Sequence, residues 1–327
     1  MYDRSIYIIL DVVPGGLMVS NRYLKNSYND YFNIIFKEVI HGGYLTALGA
    51  PALVLTTSII TNSNINLPLL IISYLIPLIV YSYDYMSDLD KDIESNSARH
   101  DHLQKKKKYY PLIMVFYCLL LVFLLVIFSN YKLILFIILI TLGGLLYATV
   151  LKGLTKRIPI FKNIYTVLTW SLGGTLFVPL QFSLTLSLPF IIIFIFINMK
   201  GLINAIFFDL KDSLTDSKEG LKTLPVILGK KNAIKLLHFL NFAAFIPLII
   251  AVILKIIPLL SLSLIIFFFY SFYYLSKAQK SIDDVMWVKL GSIADFEFIF
   301  WPFILMISII VLQTHITFLN LIINFWY

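Results

Sequence analysis

The sequence predicts an all-α protein that crosses a lipid bilayer many times. Of its 327 residues, 59% are hydrophobic and only 13% are charged, whereas soluble domains carry about 25% charged residues. Mean hydropathy is +0.87. Apolar runs such as residues 133–151 and 188–208 match the ~20 residues that a helix needs to cross the hydrocarbon core. The class expected is therefore a polytopic membrane protein. Its single cysteine, Cys118, excludes a disulfide framework and a cysteine-based metal site.

Nine apolar runs follow one another along the chain and predict nine membrane spans. They lie near residues 44–60, 67–83, 110–128, 133–151, 164–180, 188–208, 236–254, 257–275 and 298–319. Polar or turn-forming residues separate the runs, for example the uncharged linkers at 61–66 (TNSNIN) and 181–187 (QFSLTLS). We therefore expect one membrane domain over residues 41–327, preceded by a cytoplasmic or interfacial extension over residues 1–40.

Charge is confined to alternate connections between these spans. The segments 1–43, 84–109, 152–163, 209–235 and 276–297 contain 23 of the 26 lysine and arginine residues and all 18 acidic residues. Because basic loops stay on the cytoplasmic side, the pattern predicts a cell-membrane protein with a cytoplasmic N-terminus, an external C-terminus and charged loops in the cytoplasm. The formal charge of +8 therefore reports membrane topology, and no nucleic-acid partner is expected.

Three aspartates follow predicted span 2 and three follow predicted span 6. The first cluster is spaced i, i+4 and i+8 and consists of Asp84, Asp88 and Asp92. The second is spaced i, i+3 and i+7 and consists of Asp209, Asp212 and Asp216. If each helix continues past the membrane, each set of carboxylates lies on one helical face, where their repulsion calls for a cation. Because hard oxygen ligands suit Mg²⁺, which also takes phosphate oxygens, the clusters predict a magnesium–diphosphate site.

The loop between predicted spans 4 and 5 is basic and lies between the two acidic clusters in sequence. It contains four cations and no acid, namely Lys152, Lys156, Arg157 and Lys162. Ordinary positive-inside loading explains such a loop. The alternative is contact with the diphosphate, for which arginine offers a bidentate fork and lysine a point charge. Arg99 and Lys222, each downstream of an acidic cluster, are further candidates for that contact.

The two acidic clusters resemble those of the UbiA-type superfamily of intramembrane prenyltransferases. That family has nine membrane helices, with an Asn/Asp-rich motif after helix 2 and an Asp-rich motif after helix 6. Residues 209–229 are similar to the family run D-x-x-D-x-x-x-D-x-x-x-G-x-x-T-L-P-V-x-L-G, and residues 147–163 are similar to its loop after helix 4. The resemblance covers about residues 30–320. The first motif departs from the pattern, because Asp84 stands at the usual Asn position and Tyr85 at the next Asp.

The resemblance implies a UbiA-like helical bundle that transfers a polyprenyl group from a polyprenyl diphosphate to a lipophilic acceptor with Mg²⁺. It also implies that the six clustered aspartates bind the metal, and that Asp88, Asp212 and Tyr147 act in catalysis. A metal held there makes the diphosphate a better leaving group. The acceptor stays open among a quinone precursor, a glycerol-phosphate lipid, a carotenoid and a haem.

Lys200 is a charged residue deep within predicted span 6. It lies nine residues before Asp209, ~13 Å from the helix end at a rise of 1.5 Å per residue. Snorkelling is therefore difficult, and an intramembrane cation is a functional candidate by default. With Asn198 and Asn204 nearby, we expect Lys200 to face the cavity. Lys200 and Asn204 are accordingly predicted substrate-binding residues, and a structural hydrogen-bonding role for Lys200 is the alternative.

Two other protein classes compete with the transferase hypothesis. A transporter of divalent cations or small solutes usually has its site near the bilayer midplane, with broken helices or charges inside spans. Here the acids cluster at span ends instead. A CDP-alcohol phosphotransferase also uses Asp-rich membrane helices, but its D-G-x-x-A-R element is absent from the sequence. The transferase is therefore the preferred hypothesis, and the transporter is its alternative.

Overall fold

The computed structural model of the protein describes residues 37–89, 97–280 and 284–325. Every regular element in these ranges is helical. Most of the expected N-terminal extension, and Asp92 of the first acidic cluster, lie outside the described residues. The division into an extension and a membrane domain therefore stays a prediction.

The described residues include eleven α-helices and two 3₁₀ segments, in addition to a helical stretch at 37–41. In chain order the α-helices are α1 (Tyr44–Ala47), α2 (Gly49–Ile60), α3 (Leu67–Ser87), α4 (Ser97–Gln104), α5 (Tyr110–Phe128), α6 (Tyr131–Thr149), α7 (Phe161–Gln181), α8 (Leu188–Lys218), α9 (Leu224–Ile253), α10 (Ile266–Ala278) and α11 (Asp284–Phe325). The 3₁₀ segments are Leu151–Lys156, after α6, and Leu259–Ile265, which leads into α10.

Each of the nine predicted spans falls on a helical segment of the described chain. Seven helices are long and apolar enough to cross a membrane: α3, α5, α6, α8, α9, α10 with its 3₁₀ lead, and α11. Predicted span 1 falls on the shorter pair α1 and α2, and predicted span 5 falls on α7, which has 21 residues. The all-helical membrane fold is therefore confirmed, while the count of nine spans stays a prediction.

Helix α8 extends well beyond its predicted span. Its 31 residues correspond to ~46 Å at 1.5 Å per residue, longer than the ~30 Å hydrocarbon core. The ten residues after Phe208 therefore continue past the apolar part and carry the second acidic cluster on one helix, as predicted. Helix α3 behaves differently, because it ends at Ser87 and Asp88 is already non-helical (φ −98°, ψ 8°). The condition that this helix continues past the membrane is therefore not met at Asp88, and Asp92 lies outside the described residues.

Helix α2 lies at the centre of the bundle and joins two hydrophobic cores. Leu53 packs with residues of α8 to α11 around the fully buried Trp301. Val54 packs with residues of α3 and α5 to α8. Gly174 of α7 makes the close approach possible, because a Cβ there would lie 2.8 Å from the Leu53 Cβ. Burial of these side chains, about 25 cal/mol per Å² of apolar area, holds the two halves of the bundle together.

Helix α9 is interrupted near its start. Gly229 has φ 74° and ψ 155°, a conformation that side chains bearing a Cβ rarely adopt. The short turn Leu224–Leu228 is thereby separated from the long apolar segment that follows. This break lets the chain leave the second acidic cluster and re-enter the bundle at a new angle.

Candidate active site

A polar cavity of about 480 Å³ opens where α3 and α8 leave the apolar bundle. Its walls come from α1 to α4, from α6 to α8 and from α11. Five of the six predicted metal ligands line it: Asp84, Asp88, Asp209, Asp212 and Asp216. The fold therefore brings the two acidic clusters, more than 120 positions apart in sequence, to one cavity.

Asp209, the first acid of the second cluster, is engaged by two donors from α7. Lys162 Nζ lies 2.9 Å from its Oδ1, and Asn163 Nδ2 donates to its Oδ2 at 2.7 Å. The residue is only 1% exposed, so these bonds form in a low-dielectric environment where they are strong. Asp209 thus fixes α7 against α8 at the cavity wall.

Asp212 and Asp216 continue the same face of α8 toward the cavity mouth. Asp216 is 6% exposed, and its Oδ2 is buried without a hydrogen-bond partner among the described residues. A buried carboxylate oxygen without a partner is unfavourable in the absence of a cation. This position therefore fits a metal ligand better than a structural acid.

Asp84 and Asp88 mark the end of α3 on the opposite wall. The Asp88 amide donates to the Asp84 carbonyl at 2.9 Å, which holds the two acids within one turn. Arg99 of α4 lies over the Tyr85 ring, with 4.3 Å from Cζ to the ring centroid, and it also lines the cavity. A cation–π contact of this kind positions the guanidinium beside the first cluster.

Two features of the cavity suit Mg²⁺. Its acidic residues offer carboxylate oxygens as donors, and the buried Asp216 Oδ2 has no hydrogen-bond partner among the described residues. In the described part of the chain, no three His, Cys, Asp or Glu groups already converge tightly enough to hold an ion by themselves. Mg²⁺ is usually bound by one or two carboxylates together with waters and substrate phosphates. A wall of separated carboxylates is therefore compatible with an ion that a diphosphate helps to hold.

Hydrogen bonds connect the 3₁₀ segment after α6 to the loop after α8. The Lys222 amide donates to the Thr155 carbonyl at 3.0 Å, and the Lys222 carbonyl accepts from the Ile160 amide at 2.9 Å.

Only some of the basic residues predicted to contact the diphosphate reach the cavity. Cations that line the cavity in the described chain include Arg99, Lys162 and Lys211. The side chains of Lys156, Arg157 and Lys222 are exposed and are not part of its wall, and the Lys152 side chain lies outside the described atoms.

Two titratable groups at the cavity rim have pKa values that their surroundings shift. Each precedes an apolar span in the chain. Burial disfavours the charged form of Lys162, but Asp209 and Asp216 outweigh it and raise the pKa of the ammonium above its ordinary value. Burial lowers the pKa of His41 to about 4, and neighbouring His102 and Arg99 act in the same direction. At neutral pH the cavity therefore holds a charged lysine and an uncharged imidazole.

Tyr147 lies where the polar cavity meets a second, apolar one of about 120 Å³. Its ring stacks on Tyr165, with centroids 5.0 Å apart. Tyr81, Asp84 and Trp170 also belong to both cavities. The apolar cavity lies among α2, α3, α6 and α7 and is lined mostly by aliphatic and aromatic side chains together with Gly144 and the Gly173–Gly174 pair of α7. The site therefore combines an ionic end with an apolar extension.

Lys200 departs from the expectation that it faces the cavity. It is 1% exposed, and its Nζ lies 2.7 Å from Glu297 Oε1 of α11. The same ammonium donates to Asn241 Oδ1 at 2.9 Å and to Ser271 Oγ at 2.6 Å. The residue is not part of the cavity wall. The alternative structural role is the one that this geometry favours. Asn204, by contrast, does line the cavity.

Sequence reasoning missed three polar residues. Asn163 anchors Asp209, Glu297 pairs with Lys200, and Asp295 of α11 lines the cavity. The sequence places Asp295 and Glu297 in a connection, because predicted span 9 begins at 298, whereas α11 extends from Asp284. The signal was present, since Glu297 is embedded in the apolar run F-E-F-I-F-W and a buried lysine needs a partner.

Seven helices of the described chain are long and apolar enough to cross a membrane, and an acid-lined cavity lies where two of them leave the apolar bundle. These features are typical of an integral membrane enzyme. The family model that matches residues 110–293 is described as the UbiA prenyltransferase family. This chain belongs to that family, and it is accordingly a prenyltransferase. No curated protein matches the sequence by direct comparison.

Solved structures share the fold at low sequence identity. A UbiA homologue from Aeropyrum pernix K1 has a TM-score of 0.61 at 14% identity, covering 82% of this chain and 98% of that one. A UbiA homologue from Archaeoglobus fulgidus bound to GPP and Mg²⁺ has a TM-score of 0.58 at 16% identity, with the same coverage of both chains. A digeranylgeranylglyceryl phosphate synthase has a TM-score of 0.51 at 19% identity, covering 85% and 98%. The likeness confirms the UbiA-like helical bundle, and family membership favours the enzyme over the transporter.

Proposed function

We propose that the protein transfers a polyprenyl group from a polyprenyl diphosphate to a lipophilic acceptor in a Mg²⁺-dependent reaction at the polar cavity. The observation that carries the proposal is the convergence of two acidic clusters on one cavity that continues into an apolar one. An amphiphile with an anionic head and an isoprenoid tail has the same division of polarity. The Archaeoglobus homologue bound to GPP and Mg²⁺ supports the same ligand pair here.

The metal ligands proposed are Asp84 and Asp88 on one wall and Asp212 and Asp216 on the other. All four line the cavity, and Asp216 has a buried oxygen without a hydrogen-bond partner among the described residues. Asp92 of the predicted set lies outside the described residues. Bound Mg²⁺ would neutralise the diphosphate and improve it as a leaving group. Asp209 serves this set indirectly, because both of its oxygens are engaged by α7.

The side chains around the metal ligands would orient the donor. Arg99 and Lys162 are the cavity cations best placed for the diphosphate, since both adjoin an acidic cluster and face the cavity. Tyr147 and Trp170 stand at the entrance to the apolar cavity, where their ring faces can stabilise positive charge that develops on the allylic carbon. The apolar walls exclude water from that carbon.

The acidic clusters are proposed to face the cytoplasm. Of the 26 basic residues, 23 lie in or beside the predicted alternate connections, and the positive-inside rule assigns these connections to the cytoplasmic side. The donor would therefore enter from the cytoplasmic leaflet with its head group at the membrane surface.

Transfer of a radiolabelled prenyl group tests the proposal. Membranes containing the protein are incubated with labelled farnesyl or geranylgeranyl diphosphate, a lipid extract as acceptor pool, and either Mg²⁺ or EDTA. Asp88→Asn and Asp212→Asn are compared with Asp101→Asn, whose side chain is 76% exposed on α4. We expect Mg²⁺-dependent labelling of a lipid that falls at least ~100-fold in the two cavity variants and stays near wild type in the control.

Two results would count against the proposal. Label transfer that persists in EDTA would remove the metal from the mechanism. Folded wild-type protein that neither binds nor consumes the donor in Mg²⁺ would exclude prenyl diphosphates as substrates. The mass of a labelled product identifies the acceptor directly.

A further inference from the structure

Asp295 is a carboxylate of the cavity wall that belongs to neither acidic cluster. It lies on α11 and faces the cavity together with Thr46 of α1 and Asn204 of α8. Thr46 Oγ1 donates to its Oδ2 at 2.8 Å. Asn204 Nδ2 donates to the carbonyl of Ala294 at 3.3 Å, and its side chain also interacts with the Asp295 carboxylate. Three helices therefore position this one acid.

No cation neutralises this acid within the described part of the chain. Two fully buried carboxylates of α8 and α11 are paired with lysines, Asp209 with Lys162 at 2.9 Å and Glu297 with Lys200 at 2.7 Å. No ion pair of Asp295 occurs among the described residues. A carboxylate held in a membrane-embedded wall without a counter-ion is a functional candidate by default. Its hydrogen bonds come from neutral donors, which orient it without removing its capacity to accept a proton.

Asp295 lies close to the end of the cavity that carries the acidic clusters, but it is displaced from them toward the membrane interior. Its partner Asn204 lies five residues before Asp209 on α8, which corresponds to ~7.5 Å along the helix axis toward the membrane interior. The cavity is continuous between these residues. A group bound at Asp295 would therefore lie just below the diphosphate, beside the carbon that the diphosphate leaves.

We propose that Asp295 binds a hydroxyl group of the acceptor substrate and receives its proton. This inference rests on the proposed prenyl transfer and assigns the acceptor half of the same site. The hydroxyl oxygen forms a bond to C1 of the prenyl donor while the bond from C1 to the diphosphate oxygen breaks. The diphosphate leaves with the electron pair, the hydroxyl proton passes to the Asp295 carboxylate, and the product is a prenyl ether.

The same carboxylate selects against acceptors that carry a negative charge at the reacting end. Two carboxylates a few ångströms apart repel strongly where the dielectric constant is low. An uncharged hydroxyl instead donates a hydrogen bond to the Asp295 carboxylate, whose Oδ2 also accepts a hydrogen bond from Thr46. The acceptor class inferred is therefore a lipid that presents an uncharged alcohol at its head.

The test compares two acceptor probes in the full-length protein. The uncharged alcohol is 1-O-hexadecylglycerol, and the anionic probe is 2-hydroxy-3-(hexadecyloxy)propanoate, which carries a carboxylate beside the reacting hydroxyl. Farnesyl diphosphate with Mg²⁺ is the donor. Asp295→Asn and Asp295→Ala are compared with Glu219→Gln, which replaces another acid of the cavity at its exposed rim. Donor binding is measured separately with the inert farnesyl thiodiphosphate by quenching of tryptophan fluorescence, because Trp170 and Trp287 line the cavity.

We expect wild-type protein to convert hexadecylglycerol to its farnesyl ether and to leave 2-hydroxy-3-(hexadecyloxy)propanoate unreacted. Asp295→Asn should lower kcat for ether formation ~100-fold or more, the range of a lost general base, with little change in KM because the amide oxygen still accepts the hydroxyl hydrogen bond. Asp295→Ala should also raise KM. Binding of farnesyl thiodiphosphate should stay within about threefold of wild type in both variants, which shows that they fold.

Three outcomes would overturn the inference while leaving prenyl transfer intact. They are full ether synthesis by Asp295→Asn, prenylation of 2-hydroxy-3-(hexadecyloxy)propanoate in preference to the alcohol, and donor binding by wild type without any transfer to hexadecylglycerol. Failure of wild-type protein to bind farnesyl thiodiphosphate would instead refute the proposed function itself.

Discussion

Replacing Lys200 by methionine should strongly destabilise the protein, because it leaves Glu297 charged and buried. Each residue is 1% exposed, and their charged atoms are 2.7 Å apart. Ser271 and Tyr274 donate to the second Glu297 oxygen at 2.8 and 3.0 Å. These neutral donors do not compensate a full charge in this environment. Breaking a buried pair in this way costs about 3–5 kcal/mol, which is ~100- to 5,000-fold in the unfolding equilibrium.

The double variant Lys200→Met/Glu297→Leu separates the ion pair from the space that its side chains fill. Replacement of both charges by apolar side chains of similar size is commonly neutral or stabilising by about 1–4 kcal/mol. We therefore expect the double variant to be more stable than Lys200→Met alone. The two substitutions should be non-additive by at least ~2 kcal/mol, since neighbours in one network couple.

Unfolding by sodium dodecyl sulfate in mixed micelles, followed by circular dichroism, measures these free energies. Glu297→Leu completes the thermodynamic cycle, and Lys255→Met, at an exposed position after α9, controls for loss of a lysine. A cost below ~1 kcal/mol for Lys200→Met, or additivity in the double variant, would refute the buried-pair account.

Two further variants probe the two ends of the candidate site. Lys162→Met removes the cation beside Asp209 and should lower kcat/KM for the donor by about 10- to 100-fold, as expected for lost hydrogen bonds to a charged group. In the control Lys156→Met, at an exposed position, kcat/KM should stay within about threefold of wild type. Equal effects of the two substitutions would contradict the assignment of Lys162 to the site. Gly173→Leu should fill the apolar cavity, because a Cβ there meets nothing closer than 3.8 Å. Competition between geranylgeranyl and dimethylallyl diphosphate should then shift ~10-fold toward the shorter donor. Gly153→Leu, in open space, is the matched control, and an unchanged preference in Gly173→Leu would place the tail elsewhere.

Sequence patterns were sufficient for the membrane class and for the second acidic cluster. Long apolar runs can only be satisfied in lipid as helices, so each predicted span falls on a helical segment. The spacing of Asp209, Asp212 and Asp216 needs only a continuing helix to bring them to one face, and α8 continues to Lys218. The helical spacing of these three aspartates was therefore enough to predict the acidic residues that α8 contributes to the candidate site.

Tertiary partners could not be deduced from that local information. The rarity of a charge in a span predicts that Lys200 faces the cavity, but α11 begins early enough to place Glu297 beside it, and the two side chains pair. The Asp88 position depended on where α3 ends, and helix ends are set by contacts with other elements as well as by propensity. Likewise, Lys162 pairs with Asp209 through packing of α7 on α8, which spacing along the chain does not encode.

We propose that the two acidic clusters together bind a metal and a prenyl diphosphate. Equilibrium binding of farnesyl thiodiphosphate to the purified protein, measured as Mg²⁺ is varied, tests this proposal. We expect saturable binding that requires Mg²⁺, weakens at least ~100-fold in Asp88→Asn and in Asp212→Asn, and is unchanged in Asp101→Asn. Binding of equal strength without the metal, or binding that survives loss of either cluster in folded protein, would contradict it.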